Sequence, residues 1–452
     1  MIFADRALLG QHWASRVRLS SGDGVISAIL TDSSPQPGDT CVSALLPALS
    51  NLHSHSFQRA MAGMTEHRAA GQDSFWTWRD LMYRFIDRLT AEQIEAIAAL
   101  VFMEMQEAGF AAVGEFHYVH HQPGGAPYAD PAELSGRIFA AAAQTGIGLT
   151  HLPVLYTYGG AGAQPLAAGQ LRFGNGVDQF ARLLDAVRHG ARALPWDTRV
   201  GIAPHSLRAT NPADLSRVLT LAHDGPVHIH VAEQPREVAE IQAWLGARPV
   251  EWLLGNTPIN ADWCPIHATH MTAAETVGLA QTGAVAGLCP ITEANLGDGP
   301  FNGPGWLQAK GRFGIGSDSN VRISLTEELR TLEYGQRLRD IRRNIMVEPD
   351  GSVGQSLYLR AALGGAQALG RKAGVIAEGH LADLVAIDLT HPSLCALPPD
   401  QILDGLAFAA PDSVITDVWS AGRHQVRQGR HIHHDTIVRG WRRAVTALIE
   451  GL

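Results

Sequence analysis

Cysteine is scarce in this chain: four residues in 452, Cys41, Cys264, Cys289 and Cys395, lie far apart with no Cys-x-x-Cys spacing. That excludes a disulfide framework and a cysteine-bound zinc site as organising devices. Charge is sparse too, at 17% of residues, and its balance is acidic, with a net −9 and none of the basic clustering that a nucleic-acid binder needs. No apolar run is long enough to span a bilayer. The opening Met-Ile-Phe-Ala-Asp-Arg lacks the basic-then-apolar layout of a secretory signal. The expectation is a cytoplasmic protein with neither nucleic acid nor membrane as a partner. A hydrophobic content of 46% fits a compact folded chain, and 452 residues call for a large domain plus a smaller one.

What the chain does carry is a series of imidazoles and carboxylates at the ends of apolar runs. In order they are His53-Ser-His55, His228-Ile-His230-Val-Ala-Glu233, His267 and Ser317-Asp318-Ser319. Two histidines at i and i+2 on a strand project from the same face and can grip one ion together. A lone His-x-His is ordinary polar surface or satisfied core; its repetition with Glu and Asp at strand-like intervals is what gives the pattern weight. A divalent transition metal takes imidazole nitrogen and carboxylate oxygen, and a catalytic site leaves a position for water. His53, His55, His230 and Asp318 make four protein ligands. Glu233 and His267 remain for proton transfer, which points to metal-assisted hydrolysis.

The middle of the chain alternates apolar strands with helical stretches. Strands are expected over 44–55, 112–117, 148–155, 200–205, 227–233, 264–267, 284–288 and 313–318. Helices are expected over 91–108, where Thr90 and Gln93 make a capping box, and over 131–144, 177–193, 212–222, 236–254 and 273–281. Continuous apolar runs alternating with helices indicate a parallel sheet buried on both faces. Eight such units predict an α/β fold of the (β/α)₈ TIM-barrel type over 47–375, with its chemistry at the C-terminal strand ends. The flanks, 1–46 and 376–435, are short β-like pieces expected to meet in a small β-sandwich built from both termini, followed by a helix over 436–452. The segment 158–176, rich in Gly, Ala and Gln, reads as a mobile loop and a candidate lid. The His431-Ile-His433-His434 cluster reads as an exposed turn.

These residues resemble the amidohydrolase superfamily of metal-bearing barrels flanked by a small sandwich. The carriers are Asn51-Leu-His53-Ser-His55, His228-Ile-His230-Val-Ala-Glu233, Ile266-His267-Ala-Thr-His270, Gly316-Ser-Asp318-Ser and Gly379-xxx-Asp383-Leu-Val. No lysine stands on the 200–205 strand to bridge two metals, and Glu233 three residues after His230 is the pattern of mononuclear deaminases, so the resemblance implies one metal. Zinc is expected, with Fe²⁺ or Mn²⁺ also suited to three histidines and a carboxylate. A narrower likeness, to the formimidoylglutamate deiminases of histidine degradation, rests on Phe57-Gln58-Arg59-Ala60-Met61-Ala62-Gly63 and on Asp73-Ser-Phe-Trp-Thr-Trp-Arg79-Asp-Leu-Met-Tyr83. Ala203-Pro-His205-Ser-Leu-Arg208-Ala and His267-Ala-Thr-His270 extend it. Ser56 stands where alanine is expected. The resemblance also implies a homodimer.

The implied reaction puts water on an amidine carbon and expels ammonia, converting N-formimino-L-glutamate to N-formyl-L-glutamate. Asp318 can accept the water proton, and Glu233 can carry protons between the water and the departing nitrogen. His267 can hydrogen-bond the developing tetrahedral centre. For both Glu233 and His267 the alternative is a partner that orients a ligating histidine. A substrate with two carboxylates needs local positive charge in an acidic protein; Arg79 and Arg208 supply it as bidentate guanidinium partners. Taken alone, Arg79 between Trp78 and Asp80 reads as a salt-bridged surface residue, and the resemblance reverses that. Gln58, Tyr118 and His205 lie near strand ends and add polar contacts. Rival readings are a related anionic guanidine or amidine, a purine-like ring, which would favour an apolar slot, and a non-catalytic metal-binding barrel.

Overall fold

The computed structural model describes residues 1–66 and 75–450; Asp73 and Ser74 of the motif noted above, and Gly451–Leu452 of the final helical segment, lie outside them. Four strands open the chain: β1 (Ile2–Leu9), β2 (His12–Gly22), β3 (Val25–Leu30) and β4 (Thr40–Pro47). The barrel strands follow as β5 (Leu49–Ser54), β6 (Phe110–His117), β7 (Gly148–Leu155), β8 (Arg199–Val200), β9 (Ala203–Pro204), β10 (Val227–Val231), β11 (Trp263–His267), β12 (Val285–Leu288) and β13 (Arg312–Ile315). Then β14 (Leu384–Ile387), β15 (Ile415–Ser420), β16 (Arg423–Arg427) and β17 (Arg430–His431) rejoin the first group.

All barrel pairings are parallel, and every residue of β5, β6, β7, β10 and β11 is buried. The ladder runs in two arcs, β5 to β8 and β10 to β13, joined by single bridges between Ser54 and Asp318 and between Ile202 and Val227. With β8 and β9 counted as one interrupted strand, this is the eight-stranded closed sheet that the strand–helix alternation predicts. Helices cover its outside. The helix Ala91–Glu107 starts with the Thr90/Gln93 capping box, and Ala273–Gln281 has the bounds its sequence suggests.

Several elements differ from the sequence reading. The 44–55 run is two strands: Pro47 has no N–H to continue a ladder, so the chain leaves β4 there and enters the barrel as β5. The 236–254 helix is two, because Gly246 takes a left-handed φ of 76° and Pro249 starts a second helix. Helices at Phe75–Ile86, Leu325–Asp340 and Val353–Ala368 were not foreseen. The 158–176 segment is no loose loop: Arg172 is 1% exposed and donates to the carbonyls of His121, Ile86 and Leu89. The His431 cluster is not an exposed turn either, since buried His431 bonds the Thr145 carbonyl at 3.0 Å and His434 meets Glu107 at 2.8 Å.

The terminal strands form one sheet in the order β17-β16-β15-β14-β4-β1-β2-β3. It curls until β3 returns to the segment just before β14, where Ile26 N–H donates to the His380 carbonyl at 2.8 Å. Two layers thus enclose a separate core of Ile2, Val17, Leu19, Ile26, Leu45, Leu384 and Trp419. No described helix is long and apolar enough to cross a membrane.

Candidate active site

The C-terminal ends of the barrel strands bring the expected side chains together. His53 lies in β5 and His55 just past it, with ring centroids 4.6 Å apart; His230 in β10 sits 4.9 Å from His53. Their ligand nitrogens lie within 4.8 Å of one another. Asp318 arrives three residues after β13 on a tight turn, φ 46°, and its Oδ1 is 3.5 Å from His53 Nε2 and 3.3 Å from His55 Nε2. Non-glycine residues avoid the left-handed region, so such turns persist only where surroundings enforce them. Here Asn51 does so: its side chain donates to Ser317 Oγ at 2.7 Å and accepts from the Ser317 N–H at 3.1 Å, while Ser317 Oγ reaches Asn320 at 2.6 Å.

Burial lowers the proton affinity of all three histidines, to about 3 for His53, so they present neutral lone pairs. Burial works the other way on Asp318, but the His53 hydrogen bond and neighbouring imidazoles outweigh it and hold the carboxyl well below its ordinary value. His53 Nε2 and His230 Nε2 face each other at 3.1 Å. Ligand atoms about 2.1 Å from a tetrahedral ion stand about 3.4 Å apart, so this donor set fits a divalent cation. His267, Cys289 and Asp318 also cluster within 4.8 Å. There, however, burial keeps the Cys289 thiol protonated and His267 Nδ1 is engaged by Glu293 at 3.2 Å.

Beside the cluster stands Glu233, buried, with Oε2 accepting from Arg208 at 3.1 Å and Oε1 3.7 Å from His267 Nε2. Burial raises its proton affinity against the pull of His267 and Arg208. For His267 the order is reversed: burial lowers it, yet Glu233, the Glu293 hydrogen bond and Asp318 together push it up to about 10. Sequence reasoning missed Glu293 and also Asp298, whose carboxyl is pushed up to about 9 by burial beside the Glu233 charge. Neither has a motif spacing that could have revealed it. His270 bonds the Asp298 carbonyl at 2.8 Å and stands apart from the cluster. Ser56 donates its hydroxyl to buried Glu115 at 2.6 Å.

A cavity of about 580 Å³ opens over these groups, lined by His55, His230, Glu233, His267 and Asp318 and also by Gln58, Arg79, Tyr118, His205 and Arg208. Arg79 projects from the helix Phe75–Ile86 with its guanidinium 5.5 Å from the Tyr83 ring centre. Gln58 donates to the Tyr118 hydroxyl at 2.8 Å, and His205 Nδ1 meets Ser206 Oγ at 3.0 Å. The arrangement can therefore place a metal, a carboxylate proton carrier and two guanidiniums around one small anionic molecule.

Comparison with known proteins agrees with this geometry. The profile of the Amidohydrolase family matches residues 44–424, and that of the Formimidoylglutamate deiminase HutF N-terminal domain matches residues 1–42. A formimidoylglutamate deiminase of Pseudomonas aeruginosa is 49% identical over 452 residues, covering 99% of each chain. The crystal structure of an amidohydrolase from Brucella melitensis superimposes with a TM-score of 0.95 at 46% identity, over 99% of each chain. An adenosine deaminase from Xanthomonas campestris, solved with bound zinc, has the same fold: TM-score 0.83, 24% identity, 99% of this chain and 98% of that one.

Proposed function

The chain belongs to the amidohydrolase family and to its formimidoylglutamate deiminase branch, and on that premise we propose that it hydrolyses N-formimino-L-glutamate to N-formyl-L-glutamate and ammonia in histidine degradation. The observation that carries this reading is a single cavity walled both by the histidine–carboxylate cluster and by Arg79 and Arg208. The family is metal-dependent. We assign His53, His55, His230 and Asp318 to one divalent ion, zinc in preference to iron or manganese. When bound, the ion supplies Lewis acidity that lowers the pKa of water from roughly 15.7 towards about 7.

The protein groups then divide the work. Glu233 takes one proton as water adds to the formimino carbon and passes it to the departing nitrogen, and Asp318 takes the second as the tetrahedral carbon collapses to the formyl group, so that both protons leave on the nitrogen as ammonia. His267, oriented by Glu293 at 3.2 Å, hydrogen-bonds the oxygen at the tetrahedral carbon. Arg208, next to Glu233, takes the α-carboxylate close to the reacting carbon; Arg79, on the helix Phe75–Ile86, takes the γ-carboxylate. Gln58, Tyr118 and His205 add polar contacts along the wall. The assembly we assign is a cytoplasmic homodimer.

The test is ammonia release by the metal-loaded protein from formimino-glutamate, guanidino diacids, uncharged amidines and adenosine-type rings. Formimino-glutamate should have the highest kcat/KM. A guanidino diacid turned over better would move the substrate, and a preferred uncharged ring would discard the role of the two arginines.

A further inference from the structure

Gln170 is 2% exposed and has hydrogen-bond partners at both ends of its amide, yet it belongs to no motif. Its Oε1 accepts from the Ala167 N–H at 2.9 Å, which fixes the orientation of the amide because a backbone N–H can only donate. The Nε2 group therefore only donates, its two N–H bonds shared among Tyr156 Oη at 3.0 Å, Tyr83 Oη at 3.2 Å and the Gly159 carbonyl at 3.2 Å. Three elements meet on this one side chain: the helix Phe75–Ile86, strand β7 with its continuation, and the 159–170 segment. The approach is close, since a Cβ on Gly169 would stand 2.5 Å from Tyr83 Cβ.

The consequence concerns the hydroxyl proton of Tyr83. Tyr83 Oη faces an amide nitrogen that only donates, so it cannot give its proton to Gln170. Its own proton has to point elsewhere, and the ring forms part of the cavity wall beside Arg79. We infer that Tyr83 is a further substrate-binding residue, donating its hydroxyl to the same γ-carboxylate that Arg79 takes, and that Gln170 is the positioning residue that turns this donor into the cavity. The inference rests on the diacid reading of the site.

Three variants test it: Tyr83→Phe, Gln170→Leu and Gln170→Glu, assayed with formimino-glutamate and with its analogue lacking the γ-carboxylate, N-formimino-2-aminobutyrate. Tyr83→Phe keeps the ring under Arg79 and removes only the donor. Loss of a hydrogen bond to a charged group should raise KM about tenfold or more, with a smaller change in kcat. The same substitution should leave kcat/KM for the truncated analogue within about threefold of wild type, by the same reasoning. Gln170→Glu is isosteric and still accepts from Ala167, but it attracts the tyrosine protons instead of donating to them. It should therefore harm KM at least as much as Gln170→Leu, whereas a packing role would leave it near wild type. A Tyr83→Phe variant with unchanged KM, or equal losses on both substrates, overturns the assignment. If wild type itself fails to turn over formimino-glutamate, the diacid reading has failed instead.

Discussion

Glu233 has two neighbours that both favour its charged form against burial, the Arg208 guanidinium on one carboxylate oxygen at 3.1 Å and the His267 imidazole 3.7 Å from the other. Glu233→Gln keeps shape and hydrogen bonding but carries no proton, so kcat should fall by about 10²–10⁴ with metal content unchanged. Metal analysis beside steady-state kinetics checks this; a metal-free variant would make Glu233 a ligand or its support. The Arg208 contact also separates the two arginines. Arg79→Met should act chiefly on KM, while Arg208→Met should lower kcat as well, because it removes one of the two positive neighbours of Glu233. Each should reduce kcat/KM more than about tenfold, and lysine should not restore it, since an ammonium lacks the guanidinium fork. At this scale the sequence was readable where chemistry imposes a spacing, as in His53-Ser-His55 and His230-Val-Ala-Glu233. It was silent on Glu293, Asp298 and Gln170, which are brought in by turns and helices through the fold alone, and it showed Tyr83 as the end of a motif without a role.

At the scale of elements, the helix Val353–Ala368 shows what apolar patterning hides. Gly364 and Gly365 let it press onto the barrel strands: a Cβ on Gly364 would collide with the Phe313 carbonyl, and one on Gly365 would lie 2.8 Å from the Ser50 carbonyl. Gly440, inside the helix His434–Ile449, has nothing within 4 Å of the same position. Gly364→Ala should therefore cost about 1–3 kcal/mol or more through overpacking. Gly440→Ala should instead stabilise by about 0.5–1 kcal/mol through reduced backbone entropy. Urea midpoints of the two variants distinguish close packing from simple helix propensity. The strands were legible because parallel strands buried on both faces read as unbroken apolar runs. The same uniformity concealed the break at Pro47 between β4 and β5, where one run serves two sheets in succession. The helix Leu325–Asp340 lies beyond the last strand–helix unit, and its local signal is the Ser324 cap on the Glu327 N–H.

Across the whole molecule, what joins the terminal sheet to the barrel is a buried ionic knot. Arg371, fully buried, donates to both oxygens of Asp383 at the start of β14 and to Asp197 just before β8. Asp197 also takes two bonds from Arg423 on β16, at 2.7 and 2.9 Å. The Gly379-xxx-Asp383-Leu-Val sequence thus marks a joint between the two parts, with Asp383 additionally accepting from the Ala421 N–H at 2.6 Å. Arg371 lies within the chain between its two carboxylate partners, so no local pattern announces the knot. Replacing one member of a buried pair leaves the other charged and unpaired, at about 3–5 kcal/mol. Arg371→Met should incur that cost, because Asp383 then has no guanidinium. Arg423→Met should cost less, since the Arg423 side chain is 26% exposed and Asp197 keeps Arg371. Denaturant titration of both variants measures the difference, and metal content of the folded fraction should stay at wild type in each, because neither arginine reaches the histidine cluster. A negligible cost for Arg371→Met would mean that the knot is dispensable and that apolar contact between sheet and barrel holds the molecule together.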